Sequence, residues 1–402
     1  MASVCVFRTS PSLPTAYRRV RAQARFCRRT IQATPYSTSQ TINPRVAVLY
    51  QALDPPVIDG IKKPKKPNGY KDSGADVAYN LSQKKNLDVI TPTTNPNPTN
   101  DGEWSFPDTE DGILEAIDKG ATHLWANTIV FASHPLQTSA PIGKHAERLR
   151  VIGQSPLCVD RYDNKAWVNT LLRKSGSFTM PRSWDIPAGS ARHADAFREL
   201  PFPVVAKPIR GRGSHGVKVC RSPEELAAHA RSLADEDAAV MLEEFLQGEE
   251  ATVTVMPPNA EKGYWALPLV SRFNHHDGIA PYNGTIAVTA NSRVVTDCDK
   301  DPICAQVMRE SERAAELLGV TAPIRIDVRR YRDSPDSSFA LFDVNMKPNM
   351  TGPGRPGRDG QASLTMMAAS ALGWDYKELL RQILATSSTL ATLRGLRPKE
   401  IP

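Results

Sequence analysis

Cysteine is scarce in this sequence. The six cysteines, Cys5, Cys27, Cys158, Cys220, Cys298 and Cys304, form no Cys-x-x-Cys pair. That spacing argues against a zinc site or a disulfide framework and makes a reducing compartment the default. No apolar run reaches about 18 residues, so no membrane span is expected. No internal repeat is evident. No Gly-Lys-Ser/Thr follows four residues after a first glycine, which excludes a P-loop. Acidic residues are absent from the first 53 positions, although the whole chain carries a formal charge of +7.

That charge is unevenly placed. Arg8, Arg18, Arg19, Arg21, Arg25, Arg28 and Arg29 account for all of it, and the remainder of the chain is neutral. The basicity therefore belongs to a leader and not to a nucleic-acid-binding surface. An Arg-rich, Ser/Thr-rich, acid-free segment matches a mitochondrial transit peptide, with Pro35–Ser39 as the cleavage zone. A plain N-terminal extension is the alternative. The expected location is the mitochondrion, otherwise the cytoplasm.

The chain has 402 residues, 40% hydrophobic and 23% charged, as in a globular protein of several sub-domains. Strand-like Arg45–Tyr50, a helix over 73–85, a strand at 87–90, a helix near 110–119 and a strand at 123–126 alternate as in an α/β lobe with parallel pairing. Between the first strand and helix lies Lys62-Lys63-Pro64-Lys65-Lys66-Pro67-Asn68-Gly69, expected to be a solvated basic loop, with an anion-binding patch as the alternative. A helix over 163–175 opens a second unit. There a strand at 202–207 ends on Lys207, and a glycine loop at 208–216 includes Gly213 and Ser214. Later come a helix over 302–318, two strands and two terminal helices near 361–372 and 375–385.

The two late strands are the most informative. In Ile324-Arg325-Ile326-Asp327-Val328, Arg325 and Asp327 share a face by period-two alternation. In Phe339–Asn345, Asp343 and Asn345 share a face, with Ala340, Phe342 and Val344 expected on the opposite one. The polar turn between them makes an antiparallel pair. Asp327, Asp343 and Asn345 then form an all-oxygen set suited to a hard cation such as Mg²⁺, beside the fixed charge of Arg325. A solvated outer face fits the same pattern. Upstream, glycines after Lys207 would let backbone N–H groups approach phosphate oxygens. Glu243, Phe245, Leu246 and Glu250 could receive an amine, a flat heterocycle and a ribose, or could form an acidic edge between strands. His275-His276-Asp277 makes a poor metal set, because adjacent strand residues point to opposite faces. A lid-loop role or solvent exposure is expected for it.

In order, Lys165, Lys207 with its glycine loop, the Glu-rich segment and the Asp/Asn pair resemble the ATP-grasp superfamily. The chain is most similar to its D-alanine–D-alanine ligase branch. The resemblance rests on Pro203–Pro208, Glu243–Glu250, Arg325-Ile326-Asp327 and Asp343-Val344-Asn345. It implies an α/β, ATP-grasp fold: an N-terminal α/β lobe at 45–158 after a leader at 1–44, a central lid domain at 159–255, a C-terminal α+β domain at 256–390 and a tail at 391–402. It also implies ATP with Mg²⁺ or Mn²⁺, held by Asp327, Asp343 and Asn345. Lys165, Lys207, Gly213 and Ser214 would lie at the phosphates, Glu243, Phe245 and Leu246 at the adenine, and Glu250 at the ribose. Arg325 would stabilise an oxyanion. The partners would be a small-molecule carboxylate and an amine, with no nucleic acid and no membrane, and a homodimer stays open.

The departures fall in the substrate half. Asp343 stands where that branch usually has Glu, Asn349 where it has an oxyanion-hole glycine, and Gly213 where it has a substrate-orienting serine. No acidic motif for the substrate amine follows the first strand. Arg272 is a candidate replacement for a lid-loop lysine, in a region reaching Tyr282. The inserted Arg/Gly loop Thr351–Gly360 could bind a substrate carboxylate or lie loose on the surface. It precedes Ser363-Leu364, which match a substrate-proximal pair. The alternatives are an ATP-binding protein without ligase turnover, or a ligase for a substrate other than D-alanine in specialised metabolism.

Overall fold

The structure is a computed structural model describing residues 43–402 apart from 64, 185–193, 212, 236–238, 281–286, 297 and 299. The leader and Tyr282 lie outside the described residues. Among the described residues no helix is long and apolar enough to cross a membrane.

Arg45–Tyr50 is buried on both faces. Val46 and Val48 enter one hydrophobic cluster, Ala47 and Leu49 another, as expected of a central strand in a parallel sheet covered on two sides. Asp88–Ile90, Phe106–Pro107 and His123–Asn127 pair with it in parallel, and Arg150–Ile152 continues the sheet beyond His123–Asn127. The late strand Ser388–Thr389 closes this sheet antiparallel to Arg150–Ile152. The tail expected from 391 is thus preceded by a strand of the N-terminal sheet, and the short helix Leu390–Gly395 buries Leu390 and Leu393.

Two antiparallel sheets follow. The smaller has the order Lys218–Cys220, Val204–Pro208, Val240–Glu244, Ser183–Trp184. In the larger, Ser292–Val294, Val270–Arg272, Glu250–Met256, Ile324–Arg330 and Phe339–Asn345 lie side by side, and Trp265–Ala266 flanks Glu250–Met256. Helix Pro302–Leu318 has the expected bounds. Asp301 caps it by accepting from Ile303 N, and Gly319 ends it in the left-handed region. Helix Lys165–Ser175 buries Val168, Leu171 and Leu172.

The expected antiparallel pair is present, with Arg325 opposite Asn345 and Asp327 opposite Asp343. Its alternation is not uniform. A β-bulge follows this pairing, so that Val328 faces Leu341 and Phe342 is the extra residue. Phe339, Leu341 and Val344 enter the core, and Phe342 turns to the cleft side with Asp343. The expectation that Ala340 and Phe342 share a face with Val344 is thereby corrected, since Ala340 alternates with the core residues Phe339 and Leu341. One inserted residue resets a period-two pattern.

Candidate active site

One cleft of about 670 Å³ gathers every residue singled out above for catalysis, cofactor or metal. Beneath it runs a row across three strands, of which Asp327 and Asp343 line the cleft. Thr252 lies opposite Asp327, and Asp327 opposite Asp343. The Thr252 hydroxyl donates to Asp327 Oδ1 at 2.7 Å. The Arg325 guanidinium donates to both Asp327 oxygens, at 3.0 and 3.3 Å. Lys165 Nζ donates to Asp343 Oδ1 at 2.6 Å.

Arg325 and Asp327 are buried, Lys165 and Asp343 half-buried, and the four charges set one another. Burial pushes the Asp343 carboxyl up, but Lys165, Lys207 and Arg325 outweigh it and hold it below the ordinary carboxylate value. Burial lowers the Arg325 guanidinium, and Asp327, Asp343 and Glu250 more than restore it. Asp343 is therefore a carboxylate at neutral pH and Arg325 a fixed cation. Asn345 accepts from Lys347 N through its side-chain oxygen. An all-oxygen set of two carboxylates and an amide has the donor chemistry that could hold a hard cation.

The bulge has a chemical consequence. The Phe342 carbonyl accepts from Lys207 Nζ at 2.9 Å and from Asn169 Nδ2 at 3.3 Å. Lys207 also meets Glu243 Oε2 at 2.6 Å, and Asn169 donates to Glu243 Oε1 at 2.7 Å. Lys207, Glu243 and Asn169 thus tie the smaller sheet to helix Lys165–Ser175 and to the larger sheet. Sequence reading missed Asn169 and Thr252. Asn169 stands four residues after Lys165, on the same helix face. Thr252 alternates with Thr254 along a strand, and that period signals a polar face.

At the other flank, Glu250 opens its strand. It meets His275 Nε2 at 2.9 Å and Arg329 Nη1 at 3.6 Å. Arg329 donates to the carbonyls of Gly248 and Gly278 and lies 5.0 Å over the Phe245 ring. His275 is therefore a partner of the expected ribose residue, while His276 and Asp277 are exposed. Ser214 Oγ donates to the Ala280 carbonyl at 2.8 Å, joining the glycine loop to this lid segment. Arg272 is on a strand and not in a loop. Burial pulls its guanidinium down, and Asp327 and Glu250 oppose that.

Two expectations about loops change. The basic segment after the first strand is not simply solvated. Lys63 pairs with Asp163, Asp59 meets Arg210 at 3.3 Å, and Lys63, Lys66 and Pro67 line the cleft. The Arg/Gly loop is neither loose nor open to a substrate carboxylate through its arginines. Arg355 is buried against Asp76 and Asp101, each at 2.7 Å, and Arg358 holds Asp76 and Asp72.

The family model for the D-ala D-ala ligase C-terminus matches residues 178–385. Bacterial relatives are 28–30% identical. The D-alanine–D-alanine ligase of Acidovorax ebreus (strain TPSY) is 29% identical over 212 residues, 53% of this chain and 59% of that protein. The Pseudomonas entomophila (strain L48) enzyme of the same name is 30% identical over 195 residues, 48% of this chain and 54% of the other. The chain thus spans little more than half the length of these curated relatives. Among solved structures, the D-alanine–D-alanine ligase of Bacillus anthracis complexed with ATP aligns with a TM-score of 0.55 at 19% identity, covering 87% of this chain and 98% of that one. The VanG D-Ala:D-Ser ligase of Enterococcus faecalis gives 0.56 at 13%, covering 85% and 98%.

The fold is of the ATP-grasp type found in D-alanine–D-alanine ligases. This chain belongs to the D-Ala-D-Ala ligase family defined by that C-terminal domain.

Proposed function

We propose that this protein is an ATP- and Mg²⁺-dependent ligase that joins a carboxylate to an amine through an acyl phosphate. The observation that carries the proposal is the row Thr252, Asp327, Asp343, flanked by Arg325 and Lys165 in the same cleft as Lys207 and Glu243. In this reading a substrate carboxylate oxygen attacks the γ-phosphorus of ATP, and ADP leaves. The amine then attacks the acyl carbon, and phosphate departs with the carboxylate oxygen. Asp327, Asp343 and Asn345 would hold Mg²⁺ or Mn²⁺, which when bound neutralises charge on phosphate oxygens.

The protein's own groups account for the rest. Lys165 and Lys207 face the phosphates, with the backbone at Gly213 and Ser214 beside them. Glu243, Phe245 and Leu246 receive the adenine, and Glu250 the ribose. Arg325, fixed by two bonds to Asp327, presents a positive donor where the tetrahedral oxyanion forms and needs no reorganisation. No side-chain nucleophile is needed, so a Ser/His/Asp set is not expected. The Arg-rich segment before residue 43 is proposed as a targeting leader for the mitochondrion.

Calorimetry of Mn²⁺ with a non-hydrolysable ATP analogue tests the site. Asp327→Asn should weaken Mn²⁺ binding by at least about tenfold, the loss of one carboxylate ligand. Unchanged Mn²⁺ affinity contradicts the assignment.

A further inference from the structure

We propose that Arg210 is a positioning residue: it fastens the start of the glycine loop to a hairpin of the N-terminal lobe and so sets where that loop meets the phosphates of ATP. This rests on the nucleotide reading of the cleft and adds the group that holds the loop in place.

The hairpin comes first. Val57–Ile58 pairs antiparallel with Ile61–Lys62, and Asp59 and Gly60 turn between them. Their φ values are +53° and +79°, the left-handed backbone of the Asp-Gly turns that join two strands tightly. The Asp59 side chain is 70% exposed. Its carboxylate accepts from Arg210 Nη2 at 3.3 Å, a contact spanning 151 positions. Arg210 itself is buried. Its Nη1 donates to the Asp160 carbonyl at 3.0 Å and lies 3.7 Å from Asp163 Oδ2. Asp163 Oδ1 pairs with Lys63, which directly follows the hairpin. One guanidinium therefore joins the hairpin, the chain just before helix Lys165–Ser175 and the glycine loop.

The backbone registers the loop as well. Ile209 N donates to the Ala239 carbonyl at 2.8 Å, and the Ile209 carbonyl accepts from Lys165 N at 3.0 Å. Lys165 is thus set against the start of the loop. Asp163, held by Arg210 and Lys63, also acts on Lys165. Burial lowers the Lys165 ammonium, and Asp343, then Asp163 and Asp327, more than restore it. The cleft decides the role. Lys63, Asp163, Lys165, Gly211, Gly213 and Ser214 line it, whereas Arg210 and Asp59 do not. Both terminal nitrogens of Arg210 are engaged, so it acts on a nucleotide through the loop it anchors. A glycine-rich segment loses much chain entropy when it is ordered. An anchor that orders it before ATP arrives removes part of that cost from binding.

The test is calorimetry of the full chain with a non-hydrolysable ATP analogue and, separately, with adenosine, which has no phosphates. Arg210→Gln should weaken the analogue at least about tenfold, the loss of charge-assisted bonds, and adenosine less than about twofold. A general loss of structure would weaken both alike. Asp59→Asn keeps a residue that suits the turn and removes only the charge. It should weaken the analogue about two- to fivefold, and it tests the same contact if Arg210→Gln does not fold. Analogue affinity unmoved by these variants, or an equal loss for adenosine, overturns the proposal. If the wild type binds neither ligand, the nucleotide reading has failed separately, and hydrogen exchange decides the fastening. Asp59→Asn should then speed exchange in the glycine loop, and Arg210→Gln in the hairpin, each at least about twofold. Unchanged exchange in the opposite segment overturns it.

Discussion

Asp76 and Arg355 meet at 2.7 Å, with 0% and 1% of their surfaces exposed. They join the first helix of the N-terminal lobe to the loop that follows the Asp343 strand. The Thr351 hydroxyl donates to the same carboxylate, and Arg358 donates to both its oxygens. A buried carboxylate with three donors fixes the cleft wall that this loop supplies. Asp76→Ala leaves Arg355 buried without its main anion, so stability should fall by about 3–5 kcal/mol in urea unfolding. A loss below about 1 kcal/mol contradicts the buried pair.

Gly69 closes the base of the basic loop. Its carbonyl accepts from Gln51 N at 2.7 Å, its φ is +55°, and a Cβ would run into the Gln51 carbonyl oxygen. Both the positive φ and the close approach require glycine. Gly69→Ala should destabilise the protein by roughly 2 kcal/mol or more, seen as a lower Tm. An unchanged Tm argues against this closure.

Arg329 ties Gly248, Gly278 and Glu250 together and covers the Phe245 ring. It acts through residues proposed to hold ATP. Arg329→Ala should weaken binding of a non-hydrolysable ATP analogue about tenfold by calorimetry, the loss of charge-assisted bonds and a ring contact. Unaltered affinity shows that the lid contacts do not support the nucleotide.

His123 supplies a pH dependence outside the site. Burial and then Arg150 lower its imidazole from 6.5 to about 4. Below pH 6.5 the unfolded chain takes up a proton that the folded chain refuses until about pH 4. Stability is therefore present above 6.5 and is lost as pH falls through this window, by roughly 1–2 kcal/mol after solvent screening. His123→Gln should flatten that part of the Tm profile, and an identical profile contradicts the assignment.

Local periodicity made much of the site legible. Arg325/Asp327 and Asp343/Asn345 share faces because strand side chains alternate. The order of Lys165, Lys207 and Glu243–Glu250 placed them in one cleft. The bulge at Phe342 was not legible, because nothing in Phe339–Asn345 marks an extra residue until it is paired with its neighbour. The pairing of Arg355 with Asp76 spans 279 positions, and composition alone made its loop look mobile. The Lys62–Gly69 segment looked solvated for the same reason. Its partners Asp163 and Tyr70 become visible only when the lobe and the lid are in place.

The most direct test follows one oxygen. A substrate acid labelled with ¹⁸O in its carboxylate is incubated with the full chain, ATP, Mg²⁺ and an amine, and the released phosphate is analysed by mass spectrometry. Ligation through an acyl phosphate predicts one ¹⁸O in each phosphate, formed in step with amide product. Unlabelled phosphate released without amide, or ATP bound with no phosphate released, would contradict the central claim.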